Sequence, residues 1–185
     1  MYSFARAELI VCWVAWVLTF LLRATRRGER RHIVTNKAAR WGMVLQGIGY
    51  ALALNLRRPQ SDRPGIVLTV VSIVLGPLAC VLAWLALHHL GKQWRVHAGL
   101  YEDHELVTTG PYRWIRHPIY ASMLALFLAS GLLLTRPPFL LLAAVVFLAG
   151  TEIRVRVEEA LLRSRFGEAF GVWSRSVPAY IPFVR

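Results

Sequence analysis

The chain has 185 residues, 56% of them hydrophobic, and a mean hydropathy of +0.47. That is too apolar for an ordinary soluble domain and fits a polytopic membrane protein. A formal net charge of +12 would suggest nucleic acid in a soluble protein, but here much of the excess flanks apolar runs, and no nucleic-acid partner is expected.

The first apolar run, 9–22, needs its flanks to reach spanning length. A single Arg6 precedes it and no small-residue cleavage site is evident, so a retained helix is expected rather than a removed signal peptide. Arg23, Arg26, Arg27, Arg30, Arg31, Lys37 and Arg40 follow, and the positive-inside rule places that loop in the cytoplasm. A second run, 41–56, ends at Arg57, Arg58 and Arg63, a weaker basic group on the opposite side. The third, 66–87, has no ionisable residue across a bilayer's length. After a loop of about 27 residues come 119–134 and 137–150, joined by Thr135-Arg-Pro-Pro138, short enough to make them antiparallel neighbours.

The last run should continue as a charged helix, Glu152-Ile-Arg-Val-Arg-Val-Glu-Glu-Ala-Leu-Leu-Arg163. Its pairs Glu152–Arg156, Arg154–Glu158 and Glu159–Arg163 are spaced four apart. Phe166-Gly167 should end it. Val177-Pro178 and Ile181-Pro182 then predict an extended tail, whose Phe170, Trp173, Tyr180 and Phe183 suit the headgroup region.

The expected architecture is therefore an all-α integral membrane protein of about five transmembrane helices. Residues 1–91 form three N-terminal spans. Residues 92–185 hold a loop (92–120), a helical hairpin (119–150), and a C-terminal helix and tail (151–185). The multi-pass topology puts the N-terminus outside and the C-terminus in the cytoplasm, across the plasma (inner) membrane if the source is bacterial. Helix must pack on helix, because an open sheet cannot satisfy its backbone in lipid.

Several features have plain readings. Cys12 and Cys80 lie in apolar runs with no metal or disulfide spacing and read as packing thiols. His88, His89, His97 and His104 lack tight repeats and partner ligands, so no metal is expected. His32 is a loop residue, and Gly47-Ile-Gly49 suits helix packing better than a nucleotide loop. Trp13, Trp16, Trp41, Trp84, Trp94 and Trp114 suit packing or interface anchoring; of these, Trp114 has the best claim to a site.

The chemistry concentrates in Leu106-Val-Thr-Thr-Gly-Pro-Tyr-Arg-Trp-Ile-Arg-His-Pro-Ile-Tyr120 and in Glu158-Glu159, which emerge on one membrane face if there are five spans. A connector needs turn formers, not two arginines, three aromatics and an imidazole at a membrane edge. Carboxylates suit a ribose diol or an ammonium; His, Arg and backbone N–H suit a carboxylate. Aromatic rings attract a sulfonium. S-adenosyl-L-methionine presents all of these groups. Glu158-Glu159 alone reads as a solvated helix face and only the upstream loop turns it towards a site; Arg113 could be a cytoplasmic flank charge.

That loop, followed by Glu158-Glu159-Ala-Leu-Leu, Phe166-Gly167 and Val177-Pro178, resembles the isoprenylcysteine carboxyl methyltransferase family across roughly residues 92–183. Related phospholipid methyltransferases share the Arg-His-Pro and Glu-Glu elements. The resemblance implies S-adenosyl-L-methionine bound by His104, Glu105, Leu106 and Val107, by Tyr112, by His117, Pro118, Ile119 and Tyr120, and by Glu158. A further contact falls at His97, where eukaryotic members tend to have an amide. Arg116 and the neighbouring Glu159 complete the expected cofactor set. Arg154, one helical turn before the acidic pair, is expected to address the acceptor. Phe170 and Trp173 stand where the family usually has tyrosines.

The implied activity is methylation of a lipophilic small-molecule or lipid-linked acceptor, among membrane lipids, from a cytoplasmic-face pocket formed by the C-terminal half. A carboxylate acceptor needs no general base, only a cation to orient it, and this favours carboxyl over amine methylation. Two other readings stand beside it. One is an NADPH-dependent sterol or steroid-type reductase, whose C-terminal portion has a similar Arg-His-Pro loop. The other is a non-catalytic membrane scaffold.

Overall fold

The computed structural model describes residues 1–24, 32–35, 38–59, 61–94, 99–101 and 105–180. Five helices carry the fold: α1 (Tyr2–Ala24), α2 (Ala39–Asn55), α3 (Ile66–Leu90), α4 (Pro118–Leu134) and α5 (Pro137–Ser176). By length and composition three of them can cross a membrane, Tyr2–Arg23, Ile66–Leu90 and Pro137–Ser176. Of the about five spans expected, three helices among the described residues reach that length and composition. Both α2 and α4 have 17 residues, a rise of about 25 Å, at the short limit for a hydrocarbon core.

The structure also adds an element that the helical reading omitted. β1 (His32–Thr35) pairs antiparallel with β2 (Gly99–Tyr101), His32 opposite Tyr101 and Thr35 opposite Gly99, with an irregularity between His32 and Val34. This ribbon ties the first loop to the loop after α3. It satisfies strand backbone outside the helices, where the constraint against open sheet edges in lipid does not act.

Most of α4 is buried, and it forms the centre of the bundle. On one side Leu126, Ala129 and Leu133 pack with Ala5, Leu9 and Cys12 of α1 and Ala79 of α3. On the other, Phe127 stacks on Phe147 of α5 at 4.8 Å between ring centres, beside Ala53 of α2. The indoles of Trp13 and Trp16 donate to Ser130 and Ser122 at 3.0 and 3.2 Å. These two tryptophans are interior packing residues, whereas Trp41 and Trp84 are exposed. Cys12 donates to Glu8 at 3.1 Å and Cys80 to the Cys12 carbonyl at 3.2 Å; both thiols are free.

The expected hairpin of the last two runs is present in the chain, but each helix finds its main partner elsewhere. α4 lies chiefly along α3, and α5 along α2. Close approach of α2 and α5 depends on facing glycines. A Cβ on Gly42 would fall 2.7 Å from the Gly150 oxygen, and one on Gly150 would fall 2.6 Å from the Gly42 oxygen. Where lipid offers no hydrophobic drive between helices, such small-residue contacts let backbones meet. Gln46 adds a buried hydrogen bond to the Thr151 hydroxyl at 2.9 Å.

The ends of the bundle are sorted by these contacts. At one end the Arg58 backbone N–H donates to Leu134 O at 2.8 Å, its guanidinium donates to Thr135 O at 2.9 Å, and Arg63 lies over the Tyr2 ring. The opposite end carries the ribbon, the 105–117 segment and the charged part of α5.

Phe166-Gly167 does break the last helix, since Gly167 takes φ 51 and ψ −120, but helical structure resumes and runs to Ser176. The expected end is a kink. A positive φ is cheap only for glycine, so the bend falls there. It carries Phe170, fully buried, back under the Arg163 guanidinium at 5.7 Å. The tail at 177–180 is non-helical, as the prolines predict; Phe183, Ile181 and Pro182 lie outside the described residues.

Candidate active site

The turn Gly110–Arg113 (3-10) and the start of α4 face the charged stretch of α5. Pro118 occupies the first turn of α4, where its missing N–H costs nothing. His117, just before it, therefore has its ring fixed at a helix entrance. The backbone N–H groups of Arg116 and His117 donate to Pro178 O and Ala179 O at 2.8 and 2.7 Å, so the tail straps this entrance in place.

His117 is bracketed by the two carboxylates. Nδ1 lies 3.6 Å from Glu158 Oε2, and Nε2 lies 3.4 Å from Glu159 Oε1. Burial alone would resist its charging, but the two carboxylates outweigh burial and hold its pKa above the ordinary value. Tyr112 is buried nearby, and burial together with the Glu158 charge pushes its hydroxyl pKa upward.

A second line of contacts crosses from α5 to α4. Arg154, only 8% exposed, donates through Nε to the Tyr120 hydroxyl at 2.7 Å. That hydroxyl in turn donates to Glu158 Oε1, and Arg154 Nη2 lies 3.5 Å from the same oxygen. Arg154 also lies over the Tyr120 ring, 5.3 Å from its centre. The expected Arg154–Glu158 and Glu152–Arg156 pairs both form. Glu159–Arg163 does not, because Glu159 turns inward to Arg116. A buried partner across the bundle outcompetes an exposed one on the same helix.

Arg116 is a clamp. Its Nε and Nη2 reach Glu159 Oε1 at 2.9 and 2.8 Å, and Nη1 donates to the carbonyls of Ser174 and Val177. Its guanidinium thus closes the post-kink helix onto the loop.

The structure accordingly gathers Tyr112, Arg116, His117, Tyr120, Arg154, Glu158 and Glu159. Pro118 is fully buried and Ile119 half-buried beside them. Glu105 is exposed, Leu106 and Val107 half-buried, on the irregular segment leading to the turn. His97 and His104 lie outside the described residues. Trp114 is 70% exposed, with Arg113 5.7 Å from its ring, which suits an interface anchor. His88 stacks on Trp84, and His89 Nδ1 meets Leu85 O at 2.9 Å. Among the described residues no cluster of three or more His, Cys, Asp or Glu could hold a metal.

Sequence reasoning missed two contributors. Gln46 and Gly42, in the apolar run 41–56, meet Thr151 and Arg154. A glutamine inside an apolar run was the available signal, since it needs a partner there.

Together these elements define a helical membrane protein with a buried carboxylate–imidazole–guanidinium cluster at one end of its bundle. A sequence model of the isoprenylcysteine carboxyl methyltransferase (ICMT) family matches residues 70–164, just over half of the chain, and the chain belongs to that family. It is 31% identical over 121 residues to a probable protein-S-isoprenylcysteine O-methyltransferase of Oryza sativa subsp. indica, covering 65% of this chain and 60% of that protein. The corresponding enzyme B of Arabidopsis thaliana is 30% identical over 65% of this chain and 58% of its own length. The Saccharomyces cerevisiae enzyme is 32% identical over 63% and 51%. The chain thus spans between half and three-fifths of the length of these relatives.

Proposed function

We propose that the chain is an integral-membrane methyltransferase that uses S-adenosyl-L-methionine and methylates the carboxylate of a lipophilic acceptor. The observation that carries this reading is the Arg154–Tyr120–Glu158 chain, with His117 held between Glu158 and Glu159. It sets a cation and an anion side by side where the apolar part of α5 gives way to its charged part.

The donor set fits the cofactor. Glu158 is a carboxylate with its side chain 26% exposed, able to accept from a diol or an ammonium while Tyr120 and Arg154 hold it. Among the described residues the indole N–H of Trp173, on the part of α5 that follows the kink, is buried without a partner. Tyr112 and Tyr120 provide rings for a sulfonium. When bound, S-adenosyl-L-methionine supplies an electrophilic methyl group. Glu158, with His117 and Tyr120, would hold its polar end; His97, the 104–107 segment, Tyr112, Pro118 and Ile119 would line the rest. Arg116 and Glu159 would keep the wall closed.

Arg154 would orient the acceptor carboxylate. Such an acceptor carries no proton to remove, so a positioned guanidinium suffices and most of the rate comes from alignment. The names of the relatives make an isoprenylated cysteine the model acceptor. All five helices would cross the bilayer with the site on the cytoplasmic face, because Arg23 in the last turn of α1 opens the basic loop that the positive-inside rule assigns to the cytoplasm.

The test is calorimetric binding of S-adenosylhomocysteine to the purified chain, with Glu158→Ala and His117→Ala alongside and NADPH as control. Micromolar binding lost in both variants is expected, followed by methylation of an S-prenylated cysteine that depends on Arg154. Binding of NADPH instead would replace this reading with the reductase.

A further inference from the structure

Arg154 projects from α5 at the place where α2 crosses it. A Cβ on Gly42 would stand 2.5 Å from Arg154 Cγ and 3.3 Å from its backbone nitrogen, so the arginine's stem runs through space that Gly42 leaves open. One helical turn on, Gln46 donates to the Thr151 hydroxyl at 2.9 Å, and Thr151 lies three residues before Arg154. Both Gln46 and Thr151 are buried, with Thr151 also donating to Phe147 O at 3.0 Å. The contact at Gly42 therefore sets the distance between the two helices, and the bond from Gln46 sets their rotation and axial register. Arg154 has few alternative courses, because Tyr120 takes its Nε–H on the far side.

We infer that α2, through Gly42 and Gln46, is the positioning element for Arg154. These residues precede the 70–164 segment that matches the family, and they touch neither carboxylate. They act on the site through the arginine. This deepens the methyl-transfer reading, and its catalytic consequence rests on that reading; the geometry itself does not.

The experiment uses the full chain in lipid nanodiscs with ¹⁵N-labelled arginine. The Arg154 Nε–H resonance is assigned by its loss in Arg154→Lys, and its exchange with water is followed in Gly42→Ala, Gln46→Ala and Gly47→Ala. Gly47 is the internal control, since a Cβ there meets nothing within 4 Å and the change has the same effect on helix propensity. Protection should fall by about tenfold or more in Gly42→Ala and by a smaller factor in Gln46→Ala, with Gly47→Ala unchanged. The KM for an S-prenylated cysteine should rise in the first two, with S-adenosylhomocysteine affinity held.

Protection retained in Gly42→Ala, or lost equally in all three variants, overturns the inference. Should Gly42→Ala fail to fold, Gln46→Ala decides by the same criterion. A wild-type chain that neither binds S-adenosylhomocysteine nor transfers a methyl group sinks the functional reading, while the exchange data still judge the positioning.

Discussion

Arg154 and Tyr120 are joined by a 2.7 Å hydrogen bond from the guanidinium Nε to the phenol oxygen, across the α5–α4 interface. The phenol in turn donates a hydrogen bond to Glu158. One hydroxyl therefore bridges the site's cation and anion, with Arg154 buried and Glu158 partly open to a ligand.

Tyr120→Phe removes that bridge while keeping the ring. It leaves the Arg154 Nε–H buried, which should cost about 1–3 kcal/mol. Denaturant unfolding should show the loss, and turnover of an S-prenylated cysteine should drop at least about tenfold as the guanidinium loses its orientation. Wild-type turnover in this variant would show that the ring alone sets the geometry.

Arg116→Ala breaks a pair whose side chains are 9% and 13% exposed. Glu159 then loses its guanidinium and keeps only the His117 ring at 3.4 Å, and about 1–3 kcal/mol is the expected loss. The carbonyls of Ser174 and Val177 lose their donor as well. The expected readout is faster proteolysis in the 170–180 segment, together with weaker S-adenosylhomocysteine binding.

The imidazole of His117 makes the fold sensitive to alkali. Its folded pKa is raised, burial being outweighed by Glu158 and Glu159. Its stabilising contribution is complete below the unfolded value of about 6.5 and is lost as pH rises through the higher folded value. Thermal midpoints should decline over that interval in wild type and stay flatter in His117→Gln. Parallel profiles for the two proteins would remove His117 as the source.

Gly167→Ala tests the kink. An alanine held at φ 51 pays about 1–2 kcal/mol for the left-handed conformation. For a chain of this size that is a fall of roughly 2–4 °C in the midpoint for each kcal/mol. A raised midpoint, the usual effect of Gly→Ala inside a regular helix, would mean that the helix runs straight.

Much of this molecule is written in its local sequence. Apolar runs placed all five helices to within a few residues at most ends, because burial in lipid demands long uncharged stretches. For α1, whose run begins at Leu9, the helix starts seven residues earlier, at Tyr2. Four-residue spacing on a helix face foretold the Arg154–Glu158 and Glu152–Arg156 pairs. The ordered motifs of the loop and the acidic pair were enough to indicate the family that the comparison shows.

Choice of partner belonged to the tertiary structure alone. Glu159 had an arginine four residues along its own helix, yet it pairs with Arg116, because a desolvated cation across the bundle attracts it more strongly than an exposed neighbour. Chain adjacency suggested that α5 would lie along α4; shape complementarity at Gly42 and Gly150 set it along α2 instead. Periodicity tells a helix which face to bury. Only the fitted surfaces of two helices, with Gln46 meeting Thr151, decide which face it is buried against.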